Sequence, residues 1–423
     1  MKNFEELVEF IKKNLNNNWQ DKLKKAPYNL KSVKQFENNP NWWMLVYNLF
    51  ESDFKSPIVR QTRGTVVEVL DDGTVNVVCG PYTKFFNWDD PNSALKDIDW
   101  NSARVWEKVD GQLIKMFKYK GRDYWCTNGG TGLNTPLDYR DDEITDYGDL
   151  MRSAIESADP SAVVKVSRKV VNGVFWDVAD FSVKADWMDK IPDGWTLMFE
   201  LTSPYNRIIV KYKEIKLWFH GARDPEGNEH FPEEVIKMFG LPFDTPKAFK
   251  GVAGIDAAFD NYLKNMNGYD MEGLVICDKN FNRIKVKCDS YLNLKFVRDN
   301  DTPEGIWRLV ITEEYDDILP SAPELKDKIE AQIKELIKTF KEIELVLNYA
   351  KEVWENNYRG NDRKGFALWV QKNVTPVYQP LYFKIASGVP ASKIISDLKD
   401  RMINSSKGYE LYKNFVNRCS AKD

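Results

Sequence analysis

The sequence predicts an α+β fold in two parts: a domain of antiparallel sheets and helices over residues 1–300, then a small all-α domain over residues 301–423. Three observations support this prediction. Up to about Arg298, strand-like runs are interspersed with helical stretches. Beyond Arg298, apolar residues recur at helical spacing. The length of 423 residues, with 43% hydrophobic residues, also exceeds what one compact domain usually needs.

The first domain opens with an amphipathic helix, because apolar residues repeat at helical spacing over residues 4–15. Strand-like runs begin at Trp42, and the turn Leu70-Asp-Asp-Gly73 separates two of them, which predicts a hairpin. Further strands are predicted at Leu113–Tyr119, Asp123–Thr127, Thr196–Leu201, Arg207–Tyr212, Ile215–His220, Gly273–Cys277 and Arg283–Lys287. Helices are predicted at Asp146–Ala158, Pro232–Phe239 and Ile255–Asn265.

The second domain is helical by period, apart from a short apolar run at Ile306–Ile311. One long helix is predicted from Glu324 to about Asn357. Shorter helices follow, separated by prolines, at Arg363–Lys372, Ala391–Asn404 and Gly408–Arg418.

Composition excludes several classes of protein. The balance of 60 Lys+Arg against 64 Asp+Glu excludes a wholly basic nucleic-acid binder, so any basic surface must be local. No apolar run approaches the roughly 18 residues of a membrane span, and the first residues lack the order of a signal peptide. A soluble, cytoplasmic protein is therefore expected.

Cysteine and histidine usage narrows the chemistry. The five cysteines are scattered and form no C-x-x-C, which argues against a disulfide framework and a zinc ribbon. Only His220 and His230 are present, so His-rich metal sites are nearly excluded. Catalysis is expected to depend on lysine, arginine and carboxylates.

A lysine at the end of a predicted strand is the first candidate for chemistry. Lys108 is followed by Asp110 and Gly111, and on extended backbone Lys108 and Asp110 point the same way. A lysine whose protonated form is disfavoured by nearby cations can attack a phosphate, and a glycine lets the backbone approach a nucleotide. The string also fits a surface turn with a solvated lysine, so it decides nothing alone.

Other charged residues accompany this lysine in a definite order along the predicted strands. In chain order the set is Arg63, Lys84, Lys108, Glu200, Glu272, Lys285 and Lys287. Taken singly, Glu272 also fits an ordinary glutamate on an edge strand. Lys285 and Lys287 also fit an edge strand that lysines protect from further pairing. The order of nucleophile, strand glutamate, Glu-Gly and Lys-x-Lys favours a functional set.

With these motifs in this order, the chain resembles the covalent nucleotidyltransferases and, among them, the T-even-type bacteriophage ATP-dependent RNA ligases that repair tRNA. The resemblance covers most of the chain from about Trp42. It implies a nucleotidyltransferase (ATP-grasp-like ligase) domain with a helical C-terminal domain. The matching motifs are Arg63-Gly64, Lys84-Phe-Phe-Asn87, Lys108-x-Asp-Gly111, Phe199-Glu200, Asn206-Arg207-Ile208, Glu272-Gly273, Lys285-x-Lys287-x-Asp289, Asp301-x-Pro303-Glu304, Asp316-Asp317 and Asp362-Arg363-Lys364.

The resemblance implies a role for each matched residue. Lys108 would attack the α-phosphate of ATP and carry AMP covalently. Lys285 and Lys287 would contact that phosphate, and their nearness would favour the neutral form of Lys108. Glu272 would act near the nucleophile or a metal. The implied nucleotide-binding residues are Tyr47, Arg63, Lys84, Phe86, Asp110, Gly111, Glu200, Glu272, Lys285 and Lys287, with Glu200 on the ribose and Arg63 and Lys84 on the triphosphate.

The resemblance also implies metal ligands and shows one departure. Mg²⁺ or Mn²⁺ is expected because the triphosphate needs neutralising. Glu272, Asp316 and Asp317 are the implied ligands, although the aspartate pair also fits the solvated start of a helical domain. The family has a lysine where this chain has Asn128, so one positive contact is missing or supplied elsewhere.

The function implied is an ATP-dependent RNA ligase that joins 3′-OH and 5′-phosphate ends through lysyl-AMP and an adenylylated 5′ end. DNA ligases and RNA-capping guanylyltransferases resemble the same core, but they usually follow it with a β-rich OB domain. A non-enzymatic RNA-binding scaffold is the remaining alternative, and the intact lysines and glutamates oppose it.

Partners and location follow from the same resemblance. Single-stranded RNA or broken tRNA and ATP are the expected substrates, and an RNA end-healing kinase/phosphatase is an expected partner. The protein is expected to be a monomer without a membrane anchor, in the host cytoplasm if phage-encoded. Residues 301–423 are expected to select the RNA.

Overall fold

A computed structural model describes residues 4–36, 39–130, 132–133, 137, 143–171, 175–299, 301–312, 315, 325–358, 362–405 and 407–419. The chain forms two compact units, Met1–Leu292 and Asn293–Asp423. The division falls a few residues before the boundary at residue 300 that the sequence analysis uses. The first unit mixes helices with antiparallel sheets and the second is helical, so the predicted α+β fold class is confirmed.

The first unit contains the strands. They are β1 (Leu30–Phe36), β2 (Asn39–Tyr47), β3 (Arg63–Val69), β4 (Val75–Cys79), β5 (Phe86–Asn87), β6 (Arg104–Lys108), β7 (Gln112–Tyr119), β8 (Arg122–Thr127), β9 (Val163–Val171), β10 (Phe175–Lys184), β11 (Thr196–Thr202), β12 (Lys216–Arg223), β13 (Glu229–His230), β14 (Ala248–Phe249), β15 (Gly273–Cys277) and β16 (Arg283–Lys287).

The α-helices are numbered along the whole chain. They are α1 (Glu5–Asn14), α2 (Trp19–Lys24), α3 (Pro57–Arg60), α4 (Tyr147–Ala158), α5 (Asp186–Lys190), α6 (Pro232–Phe239), α7 (Ile255–Ala258), α8 (Asp289–Asp299), α9 (Pro303–Ile311), α10 (Lys326–Val353), α11 (Arg363–Asn373), α12 (Gln379–Ala386), α13 (Ala391–Asn404) and α14 (Gly408–Cys419).

The N-terminal sheet has the antiparallel order β1-β2-β3-β4. The predicted amphipathic helix is α1, which buries Leu7 and Ile11. Those side chains belong to one core with Leu45 and Val67 of the sheet. The predicted hairpin is also confirmed, since β3 pairs with β4 across the turn at Gly73. Strand β1 had no counterpart among the predicted strands.

Two five-stranded sheets carry several of the predicted site residues, including Lys108, Glu200 and Lys285. One has the antiparallel order β13-β12-β11-β7-β8, and its apolar face packs with α4 and α6. The other has the order β14-β6-β15-β16-β5, antiparallel except for the β16–β5 pair. Strands β9 and β10 form a separate antiparallel hairpin. In both sheets, strands far apart in sequence become neighbours.

The second unit packs amphipathic helices around one core that includes Trp307, Ile343, Phe366, Leu398 and Phe415. The long helix and the three shorter helices predicted here are confirmed as α10, α11, α13 and α14. The apolar run at Ile306–Ile311 belongs to helix α9, because Thr302 caps Gly305 and Pro303 begins the helix. Within the described ranges, no helix is long and apolar enough to cross a membrane.

One predicted strand is wrong. Residues 207–212 form an irregular segment instead. The backbone amides of Ile209 and Val210 donate to the carboxylate of Asp110, which lies just after β6, at 2.8 and 3.0 Å. Because that side chain takes the amides, they are not available for a sheet ladder. The short apolar run of this segment reflects burial of Ile209 and Val210 rather than strand pairing.

Candidate active site

Strand register brings three distant parts of the sequence together. Gly273, the first residue of β15, pairs with Lys108 at the end of β6 on one side and with Lys287 at the end of β16 on the other. Two residues along, Val275 pairs with Lys285. The Lys-x-Asp-Gly, Glu-Gly and Lys-x-Lys motifs therefore meet at one end of a three-stranded ladder.

A buried carboxylate lies between two of these lysines. Glu272 is 3% exposed, and its Oε2 lies 2.5 Å from Nζ of Lys108 while its Oε1 lies 2.7 Å from Nζ of Lys287. Burial would raise the pKa of Glu272, but the two ammonium charges and their hydrogen bonds outweigh burial and lower it. Glu272 is therefore ionised, and it holds both lysine side chains in place.

The charge state of Lys108 differs from the expectation. Burial alone would lower the pKa of Lys108, but the charges of Glu272 and Glu200 and a hydrogen bond to Glu272 outweigh it and raise the pKa. The predicted effect of neighbouring cations is thus wrong for the protein without nucleotide, because the charges closest to Nζ are carboxylates. The neutral nucleophile is not the resting state.

The cation with a lowered pKa is Lys285. Burial, followed by the charges of Lys84 and Lys108, lowers the pKa of Lys285 to about 7. Lys285 and Lys287 alternate onto the same face of β16 as predicted, yet their surroundings differ. Lys287 shares the carboxylate of Glu272, whereas Lys285 faces the cavity among other cations.

A cavity of about 310 Å³ opens beside Lys108, a size within the range of small-ligand sites. Seven of the predicted site residues line it: Tyr47, Arg63, Lys84, Lys108, Gly111, Glu200 and Lys285. Glu200 projects from β11, where burial raises its pKa to about 7 against the opposing charges of Lys108 and Arg63. Gly111 is required by space, because a Cβ there would lie 2.4 Å from the carbonyl oxygen of Leu201.

Other predicted residues act around the cavity rather than in its wall. Strand β6 ends at Lys108, and Asp110 lies beyond it. Its Oδ2 accepts from residues 209 and 210, and its Oδ1 accepts from the Tyr291 hydroxyl at 2.7 Å. Asp110 therefore fixes the loop that follows Glu200. Phe86 is buried, with its ring facing Lys84.

The predicted metal ligands are only partly placed. Asp316 and Asp317 lie outside the described residues. Both oxygens of Glu272 bind lysines. In the part of the chain that the structure describes, no group of three or more His, Cys, Asp or Glu side chains could hold a metal ion. A metal here would need oxygen ligands from the phosphates as well.

Sequence reasoning missed several residues of the cavity wall, among them Trp106, His220 and Arg283. His220 sits at a β-bulge where β12 slips against β11, and its buried Nε2 has no hydrogen-bond partner among the described residues. Burial, helped by the charges of Lys108 and others, lowers the pKa of His220 to about 3. The only signal in the sequence for His220 is that it is one of just two histidines. Arg283 precedes Lys285 by two residues, so period 2 could have identified it.

Asn128, the position where the family has a lysine, also lines the cavity, and no described residue hydrogen-bonds its buried Oδ1. A lysine lies close by, but it does not replace the missing contact. Lys115 is fully buried, and its Nζ donates to the carbonyl oxygen of Gly64. The additional cation in the described cavity wall is Arg283.

Comparison with known proteins matches a family model described as RNA ligase over residues 61–296, more than half of the chain. The chain belongs to this RNA ligase family. The matched range contains Lys108, Glu200, Glu272 and Lys285.

A curated relative is the "Putative bifunctional polynucleotide kinase/RNA ligase" of Autographa californica nuclear polyhedrosis virus. It is 29% identical over 307 residues, which is 69% of this chain. The chain spans only 39% of that relative's length.

Two solved structures are also similar. An archaeal ATP-dependent RNA ligase has a TM-score of 0.43 and 13% identity, covering 80% of this chain and 82% of its own. An RNA ligase of Naegleria gruberi with PPi has a TM-score of 0.31 and 13% identity, covering 51% and 60%. Both TM-scores are low, and the family assignment rests on the sequence match.

The lowered pKa of Lys285 predicts proton uptake on nucleotide binding. At pH 8 an amine with a pKa of about 7 is mostly neutral, and a phosphate anion beside it stabilises its charged form. A non-hydrolysable ATP analogue should therefore bind with uptake of up to one proton, measured by titration calorimetry in buffers of different ionisation enthalpy. Lys285→Arg should abolish the uptake, because arginine stays protonated.

Glu200→Gln provides the matched control, since Glu200 also has a pKa of about 7. Uptake that survives in Glu200→Gln and disappears in Lys285→Arg assigns the proton to Lys285. Uptake that persists in Lys285→Arg contradicts the assignment.

Proposed function

We propose that the chain is an ATP-dependent RNA ligase that seals 3′-OH and 5′-phosphate ends of single-stranded RNA through a covalent lysyl-AMP. The observation that carries the proposal is the position of Lys108. Its Nζ lies at a cavity lined by Arg63, Lys84 and Lys285, and Glu272 holds it. One amine beside several cations suits attack on a polyphosphate.

In the first step, Lys108 Nζ loses its proton and forms a bond to the α-phosphorus of ATP, while the bond to pyrophosphate breaks. The resting pairing with Glu272 opposes this deprotonation. Protonation of Lys285 beside bound phosphate adds a positive charge near Lys108, which favours the neutral amine. Arg63 and Lys84 neutralise the departing pyrophosphate, and Glu200 is placed for the ribose hydroxyls.

Two further transfers complete the reaction. The 5′-phosphate of the RNA displaces Lys108 from AMP, and the lysine leaves as an amine that Glu272 can again pair with. The 3′-hydroxyl then attacks the activated 5′-phosphate, so that a phosphodiester forms and AMP departs. Both transfers use the same cations around the phosphorus, which is why one cavity can serve all three steps.

A divalent cation, Mg²⁺ or Mn²⁺, fits this site only together with the substrate. Glu272 is the described carboxylate next to Lys108, and the pairing oxygen is released when the amine becomes neutral. The cation would be held by Glu272 and phosphate oxygens and would neutralise phosphate charge. Asp316 and Asp317 remain proposed ligands for a second ion.

We also propose that the helical part of the chain, residues 301–423, selects the RNA while residues 1–300 carry out adenylylation. The residues that line the cavity all precede residue 293, where the helical unit begins. The helical unit exposes Arg401, Lys407 and Lys413. The baculovirus relative's name joins polynucleotide kinase to RNA ligase, which supports an end-healing kinase as a partner of this chain.

The adenylylation proposal predicts one AMP adduct on Lys108. Intact-mass measurement after incubation with ATP and Mg²⁺ should show a single adduct, absent from Lys108→Ala and from Lys108→Arg, since arginine cannot become a neutral nucleophile. An adduct that persists in Lys108→Ala overturns the assignment. Labelling by GTP at least equal to that by ATP would instead favour a capping guanylyltransferase.

The RNA-selection proposal predicts a separable defect in the helical unit. The triple variant Arg401→Glu, Lys407→Glu, Lys413→Glu should keep AMP labelling of Lys108 within about twofold, because none of the three lines the cavity. Its preference for a cleaved tRNA anticodon loop over a generic single strand should fall about tenfold, through loss of phosphate contacts. Competition ligation with both substrates measures the ratio. An unchanged ratio places recognition in residues 1–300.

A further inference from the structure

The cations of the cavity differ in what faces them. Two lysines share the carboxylate of Glu272. A further cation of the cavity wall, Arg283, pairs with Glu229. Arg63, Lys84 and Lys285 have no carboxylate oxygen within 4.0 Å among the described residues. Each of the three instead lies near an aromatic ring. In the part of the chain that the structure describes, no ion pair neutralises these three charges.

Lys84 has the fullest set of rings. Its Nζ lies 5.2 Å from the ring centroid of Tyr47, 5.4 Å from that of Phe54 and 5.6 Å from that of Phe86. The rings also pack edge-on against one another, with Phe54 in the middle: its centroid is 5.1 Å from Tyr47 and 5.7 Å from Phe86. The three rings form an aromatic cage around one ammonium.

Hydrogen bonds through Arg60 hold the cage and the lysine together. The backbone amide of Lys84 donates to the carbonyl oxygen of Arg60 at 2.8 Å. The Nε of Arg60 donates to the carbonyl oxygen of Phe54. Phe54 and Lys84 lie far apart in the sequence, yet both are hydrogen-bonded to Arg60.

Phe54 lies outside the described cavity wall, unlike Tyr47 and Lys84. Phe54 is half-buried and packs against the core of the N-terminal sheet. It can therefore influence a ligand only through the residues it touches.

We propose that Phe54 is a positioning residue for Lys84: its ring face holds the Lys84 ammonium toward the cavity by a cation–π interaction and leaves the charge free for a phosphate. The proposal rests on the proposed function, because it takes the ligand to be the triphosphate of ATP. A ring attracts a cation through its quadrupole and adds no net charge. A carboxylate in the same place would compete with the phosphate for the ammonium.

The test replaces Phe54 with 4-fluoro-, 3,5-difluoro- and 3,4,5-trifluorophenylalanine. Fluorine weakens the negative ring face with little change in size. The KM for ATP in lysyl-AMP formation should rise with each fluorine, by about three- to fivefold over the series, while the rate at saturating ATP stays unchanged. A ring that only packs against its neighbours would give the same KM throughout, and that result overturns the proposal.

Two controls keep the outcome specific. The same series at Phe10, whose ring packs edge-on on Tyr28 at 4.9 Å, should leave KM unchanged. In Lys84→Met protein the Phe54 series should have no effect on KM. A KM that responds equally at Phe10, or that still responds without Lys84, refutes the assignment. Absence of any lysyl-AMP in the unsubstituted chain would instead refute the proposed function.

Discussion

The arrangement of the site depends on one buried carboxylate between two ammonium groups. Glu272 can be buried and ionised only because Lys108 and Lys287 bind its two oxygens, since an unpaired buried charge is strongly unfavourable. Removing one partner of such a pair typically costs roughly 3–5 kcal/mol. Lys108 and Lys287 lie on the two strands that flank β15, and Glu272 immediately precedes β15, so pairing of the three strands and position of the nucleophile are one structural requirement.

The pairing with Glu272 separates the cations of the site into two groups, those that bind a carboxylate and those that do not. Glu272 holds Lys108 in place and raises its pKa, which favours the protonated amine in the protein without nucleotide. Lys285, Lys84 and Arg63 have no carboxylate partner among the described residues, so they offer net charge to a polyphosphate. Binding of phosphate then changes protonation, because Lys285 has a pKa of about 7 before it binds an anion.

Much of this could be predicted from the sequence, for a physical reason. Period-2 alternation places Lys285 and Lys287 on one face whatever the rest of the fold, and the helical period identifies α10 from its apolar residues alone. The family resemblance grouped Lys108, Glu200 and Lys285 without any knowledge of strand order. The matching family model covers residues 61–296, a range that contains these three residues.

Other features depend on tertiary contacts that local pattern does not encode. Residues 207–212 read as a strand, but a carboxylate about 100 positions away takes two of their amides. A β-bulge turns His220 into the cavity, and its position depends on the pairing of β11 with β12. The pKa of Lys108 depends on Glu272, which lies 164 positions along the chain. The order of the motifs identifies Lys108 and Glu272 as site residues, but it does not predict that Nζ of Lys108 lies 2.5 Å from Oε2 of Glu272. That short distance makes Glu272 the dominant charge acting on Lys108.

The central claim is that Glu272 keeps Lys108 protonated in the resting protein. The most direct measurement is the pKa of the Lys108 amine by NMR of protein labelled at lysine side chains, with the resonance assigned by its absence in Lys108→Arg. In the unsubstituted chain this pKa should lie above the ordinary lysine value, and in folded Glu272→Gln it should fall below that value, because burial is then opposed by less negative charge. A Lys108 pKa that stays elevated in Glu272→Gln would contradict the account.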